Sequence, residues 1–142
     1  MVSAIIGGVL LGLFSDRWGR RRTIILALVG AFCAIPLWAF AGSKLGLIVG
    51  ALIMQFMIQG AMGVVPAHLA ELSPNSARGF IIGFGYQCGV LLSSLVVYVE
   101  AILASHISYA KAMAYTAGIV MFLAIAGTAA GQERRAAVFS DN

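Results

Sequence analysis

The chain has 142 residues, of which 61% are hydrophobic and only 10% charged, and its net charge is +4. A soluble domain carries about 25% charged residues to cover its surface, so a chain with a mean hydropathy of +1.00 takes lipid as its solvent. The positive balance needs no nucleic-acid partner: loops of a membrane protein give the same excess, and no basic stripe interleaved with aromatics is present.

Charges divide the sequence into five apolar stretches. They predict membrane segments at about 1–15, 23–43, 45–72, 79–104 and 109–131, a membrane domain of residues 1–132, and a cytoplasmic tail at 133–142. The runs are continuous rather than alternating, which favours helices over barrel strands. A helix needs about 20 residues to cross the hydrocarbon core. The first stretch reaches only ~22 Å against a core of ~30 Å. It reads as the trailing part of a span whose beginning is missing, and the chain as a fragment. A cleavable leader is not indicated, because residues 1–15 lack a basic start and run into Asp16 and Arg17.

The first boundary is Gly12-Leu-Phe-Ser-Asp16-Arg17-Trp-Gly19-Arg20-Arg21-Arg22. Charge at this density must stay in the interface, so the stretch is expected to be a short loop. The second stretch holds Cys33 and Pro36, and the third holds Gln55, Gln59 and Pro66. The fourth carries Tyr86, Gln87, Cys88, Ser93, Ser94, Tyr98 and Glu100, while the fifth offers only Tyr115, Thr116 and Thr128. Both cysteines lie in apolar runs, where packing rather than a disulfide or a metal is the default.

The basic residues give the topology. Arg17, Arg20, Arg21, Arg22, Arg78, Arg134 and Arg135 fall on one side, and Lys44 and Lys111 on the other. By the positive-inside tendency the carboxyl terminus and the Asp16 stretch are cytoplasmic, in a multi-pass protein of the cell membrane. Gly8/Gly12, Gly42/Gly46/Gly50, Gly79/Gly83, Gly85/Gly89 and Gly127/Gly131 are each four apart. That spacing puts small residues on one helical face and predicts a closely packed bundle.

Gly12-x-x-x-Asp16-Arg17-x-Gly19-Arg20-Arg21 resembles the cytoplasmic signature of the major facilitator superfamily, G-x-x-x-D-[RK]-x-G-[RK]-[RK]. Two spans later, Glu71-Leu-Ser-Pro74-Asn-Ser-Ala-Arg78-Gly79 resembles the Glu…Pro…Arg-Gly run that its members often carry at the matching loop. The resemblance implies an all-α integral membrane protein, a partial six-helix half with about helices eight to twelve. Gly63-Val-Val-Pro66-Ala-His68-Leu and Gly85-Tyr86-Gln87-Cys-Gly89-Val-Leu-Leu are similar to the lactate or sialate:proton symporter branch. This implies proton-coupled secondary transport of a small organic anion, with the missing amino-terminal half as partner.

Several residues carry expected roles. Gly12 and Gly19 permit a tight backbone, and Asp16, Arg17, Arg20, Arg21, Glu71 and Arg78 are expected to form one charge network that rearranges as two halves rock. The alternative is an anchor of topology with no switching role. Gln55 and Gln59 share a helical face about 15 and 21 Å from Leu45, near the midplane. With Tyr86, Gln87 and Ser94 they are candidates for a substrate cavity; the alternative is interhelical hydrogen bonding. In the resemblance, helices ten and eleven line that cavity while nine and twelve are peripheral. His68 and Glu100 are candidates for proton coupling. They lie about 34 Å from Leu45 and about 31 Å from Gly79, so solvation at the interfaces is the alternative.

No Walker loop, zinc spacing or nucleophile elbow occurs, so no catalysis, cofactor or metal is expected. The rival from another class is a non-transporting polypeptide, a truncated remnant or a subunit that assembles with a separate other half.

Overall fold

The structure is a computed structural model that describes residues 2–131. The predicted tail at 133–142, with Arg134 and Arg135, lies outside the described residues. Five helices follow one another: α1 (Val2–Trp18), α2 (Arg20–Phe40), α3 (Lys44–Leu72), α4 (Arg78–His106) and α5 (Tyr109–Ala130). Helices α2 to α5 are each long and apolar enough to cross a membrane, and α1 has 17 residues. The protein is thus an all-α, multi-pass membrane bundle.

The charged stretch is not the loop that its composition suggested. Asp16 and Arg17 complete the last turn of α1, and Arg20 to Arg22 open α2. The two helices are separated by Gly19 alone, at φ 103° and ψ 142°. Glycine reaches this region without a Cβ penalty, so one residue makes the corner. Helical backbone satisfies its own hydrogen bonds, which lets the charges sit on helix ends instead of needing a connecting segment. Thr23 closes the corner from below: its Oγ1 donates to the Gly19 carbonyl at 2.9 Å. The next turn, before α3, is capped by Ser43, whose hydroxyl accepts from Gly46 N–H at 3.1 Å.

Helix α2 packs on α1, α3 and α5, and α3 on α1, α2 and α4. The buried face of α2 is Thr23, Ile24, Ala27, Ala31, Ala34 and Ile35, a mostly small stripe at helical spacing. Ala31 and Ile35 join Met54 of α3 and Met121 of α5 in one apolar cluster. Inside lipid no hydrophobic force drives helices together, so close van der Waals contact must do so. It does so at particular glycines. A Cβ on Gly50 would stand 2.7 Å from Trp38 N, and one on Gly7 would strike the Phe56 carbonyl oxygen. Gly60 faces Gly7 and Leu11, and Gly63 faces Gly8. By contrast Gly12, Gly42, Gly79, Gly83, Gly89 and Gly127 have no such neighbour within 4 Å. Four-residue spacing therefore marked several glycines that make no close approach among the described residues.

Among the described residues, helix α4 packs only on α5 and, at one end, on α3. None of its residues is buried.

Candidate functional site: a charged corner and an open polar face

The charge network is centred on Arg20, the first residue of α2. Its three guanidinium nitrogens go to three different partners. Nη2 lies 2.6 Å from Asp16 Oδ1, Nε lies 3.1 Å from Glu71 Oε1, and Nη1 donates to Ser15 Oγ at 2.6 Å. Ser15 in turn donates to the Gly12 carbonyl at 2.6 Å. One side chain thus ties the end of α1 to the end of α3 through the start of α2. Each of these charges opposes its own helix dipole: the carboxylates stand near carboxyl-terminal ends and the arginine at an amino-terminal end. Their mutual pairing offsets that cost.

Burial grades the set. The Glu71 side chain is 11% exposed, Arg20 21% and Asp16 54%. Glu71 Oε2 is buried without a hydrogen-bond partner, so the inner carboxylate has acceptor capacity to spare. Arg78 is at the same corner. Its Nε donates to the Ala70 carbonyl at 3.0 Å and its Nη2 to Asn75 Oδ1 at 2.6 Å, shaping the turn between α3 and α4. Arg21 Nη2 donates to the Ala129 carbonyl and so reaches the last turn of α5. A cation there also meets the negative end of the α5 dipole. Arg17 is exposed on the last turn of α1.

Two of these partners, Ser15 and Thr23, and the reach of Arg21 to α5 were not anticipated from sequence. Ser15 is 1% exposed, Thr23 is 0% exposed, and both serve the Gly19 corner. The hint was the placement of hydroxyls one turn from a glycine between charges. Arg21 reaching α5 leaves no such hint, because a contact across 108 positions depends on how α2 and α5 pack.

The candidate proton carriers separate. His68 is 8% exposed and lies one turn before Glu71 on α3, so solvation at the interface does not describe it. Glu100 is half-buried on α4, and Thr116 Oγ1 of α5 lies 3.4 Å from its Oε2. Glu100 and Thr116 are about 9 and 10 Å from the adjoining ends of their helices, at matching depth.

The candidate cavity residues are open. Gln55 and Gln59 are exposed on α3 together with Met62 and Pro66, at spacings of one helical face. Tyr86, Gln87 and Ser94 are exposed on α4, and Ser94 Oγ donates to its own Leu91 carbonyl at 2.7 Å. Where α3 meets α4, Leu69 lies across from Gly85. Two cavities, of about 600 Å³ between α2 and α5 and about 730 Å³ between α4 and α5, are lined by none of these five residues.

The model of the Major Facilitator Superfamily matches residues 1–138. A carboxylic acid transporter protein homolog of Saccharomyces cerevisiae is 31% identical over 94% of this chain, which covers 24% of that protein. A putative polyol transporter of Arabidopsis thaliana is 32% identical over 87% of the chain, covering 25% of the relative. A D-xylose transporter of Levilactobacillus brevis is 30% identical over 70% of the chain, covering 21% of it. The chain therefore spans about a quarter of the length of these relatives. With its helical bundle, the Arg20-centred corner and a match over nearly all its residues, the chain belongs to the Major Facilitator Superfamily of membrane transporters.

Proposed function

We propose that the chain forms part of a secondary transporter that moves a small organic anion, a lactate-like monocarboxylate or a sialate, with protons by alternating access. The observation that carries the transport reading is the Asp16–Arg20–Glu71 chain of ion pairs, which joins three helices at one end of the bundle. Ion pairs that bridge three helices at one end of the bundle can form in one arrangement and part in another, which is what rocking of one bundle against another calls for. The likeness to a carboxylic acid transporter homolog supports an acid as cargo, and the likeness to xylose and polyol transporters supports the rival, a neutral sugar-like substrate.

In this reading Gln55, Gln59, Tyr86, Gln87 and Ser94 form one wall of the cavity. Exposed polar groups on long apolar helices are costly against lipid, so they call for a facing wall from further polypeptide. Glu100 is the better placed proton carrier, because its half-buried carboxyl lies between two spans with the Thr116 hydroxyl 3.4 Å away. His68 and Glu71 would then serve the corner. The Arg20 end faces the cytoplasm of the cell membrane, and the Lys44 and Lys111 end faces outward. Thiol labelling from outside should reach Lys44→Cys and Lys111→Cys and spare Arg21→Cys; the reverse pattern sinks the orientation.

Uptake into vesicles tests the whole reading. The chain alone should move no labelled lactate, sialate or xylose, since one wall makes no alternating site. Co-expressed with a matching first half and the helix before α1, it should take up the acid in response to an inward proton gradient. Asp16→Asn should slow that uptake without preventing insertion. Gradient-independent uptake of xylose but not of acids would establish the sugar reading. No uptake by any assembly would favour a polypeptide that does not transport.

A further inference from the structure

The groove between α2 and α5 has a volume of about 600 Å³ and lies apart from the charged corner. Its walls include Phe32, Pro36 and Phe40 of α2 and Phe122 of α5, and its only charged lining residue is Lys111. Along α5 the lining runs from Lys111 to Leu123, about 18 Å at the helical rise. One leaflet of the hydrocarbon core is about 15 Å deep. The groove thus starts at a membrane boundary and ends near the midplane.

Gly118 keeps its middle open: an added Cβ would lie 3.7 Å from Phe32 Cε2. Lys111 is exposed and has no ion pair among the described residues. A lysine in the first turn of a helix can lay its stem along apolar wall and lift its ammonium to headgroup level. The neighbouring cavity between α4 and α5 has no charged lining residue and offers nothing to a headgroup.

We propose that this groove holds one anionic phospholipid of the leaflet at the Lys111 end, its phosphate paired with Lys111 and an acyl chain laid along Phe32, Pro36 and Phe122. Depth, apolar walls and a single unpaired cation at the mouth together match that class of molecule. A neutral lipid or sterol would leave the cation unused, and a free phosphate would leave the groove unused.

The test is native mass spectrometry of the whole chain in mild detergent, offered equal dioleoyl phosphatidylglycerol and dioleoyl phosphatidylcholine. Phosphatidylglycerol should be retained in preference. Lys111→Gln should lower its retention by about fivefold, the worth of one basic residue near an anionic headgroup. Lys111→Arg should keep it, and so should Lys44→Gln, a charge at the same end but outside the groove. Gly118→Leu should fill the groove and expel both lipids; if that variant does not insert, the Lys111 series still decides. Equal retention of the two lipids, an unchanged Lys111→Gln, or an equal loss in Lys44→Gln would overturn the proposal. So would displacement of the lipid by excess glycerol 1-phosphate, which would show a site for free phosphate.

Discussion

Helices α3 and α4 have the same length, 29 residues each, and the same apolar character, yet they live in different surroundings. Helix α3 buries Gly50, Met54, Gly60, Ala61, Val64 and His68 against α1 and α2. Helix α4 buries nothing. The difference is one of small residues in register. Gly50 and Gly60 of α3 meet backbone or side chains of neighbours that come within contact, whereas Gly83 and Gly89 of α4 meet no such neighbour. In lipid, two equally apolar helices are told apart by how closely a neighbour can approach, and hydropathy is blind to that.

The largest effect that sharpens this contrast comes from adding one methyl group. Gly7→Ala and Gly50→Ala drive a Cβ into the backbone of a neighbouring helix, which cannot swing aside. We expect a loss of about 3 kcal/mol at either site, the upper range for overpacking. Gly83→Ala and Gly89→Ala should cost nothing, because a Cβ there meets nothing within 4 Å. Unfolding in mixed detergent, followed by circular dichroism, measures both pairs. Equal losses at Gly50 of α3 and at the two α4 sites would break the comparison.

Next in size is the charged corner, where α1 to α3 are joined. Glu71→Ala removes the more buried acid of the corner and leaves Arg20 Nε without its partner, at a cost of about 2 kcal/mol in the same assay. Asp16 is 54% exposed, so Asp16→Ala should cost well under about 1 kcal/mol. Raised salt should reduce the Asp16 effect and leave the Glu71 effect nearly intact, since screening reaches the exposed pair first. Loss of equal stability from both would mean that burial does not grade the set.

The smallest effect probes the open side. Thr116→Val removes a hydroxyl shared between the Ala112 carbonyl of its own helix at 2.9 Å and Glu100 Oε2 at 3.4 Å, and should cost about 0.6 kcal/mol at most, the mean for a polar pair inside a membrane bundle. Ser94→Ala should be silent, because Ser94 bonds only its own helix. A larger effect at Ser94 than at Thr116 would place α4 in a tighter environment than its exposure shows.

Much of this was legible in the order of the residues. A 61% hydrophobic chain with breaks of charge has to span a membrane, and continuous apolar runs have to be helices. The Gly12-to-Arg21 and Glu71-to-Gly79 runs carried the family, which the match over residues 1–138 bears out. The glycine reading was only half legible. Spacing of four marked Gly50 but missed Gly7 and Gly60, because a close approach needs a partner opposite, and on α2 that role fell to Ala27, Ala31 and Ala34.

What the sequence by itself determined is what depends on local composition: the solvent of the chain, its helical class, the side on which its arginines gather and its superfamily. Tertiary structure alone decided which acid is inner and which outer, that Ser15 completes the coordination of Arg20, and that Arg21 closes α5. It also decided that the loop shrinks to Gly19 and that His68 is buried beside Glu71. The reason is physical. Membrane insertion sums transfer energies residue by residue, and a sum can be read in one dimension. Pairing and burial depend on the distance between segments up to 108 positions apart, and only the packed bundle sets that distance.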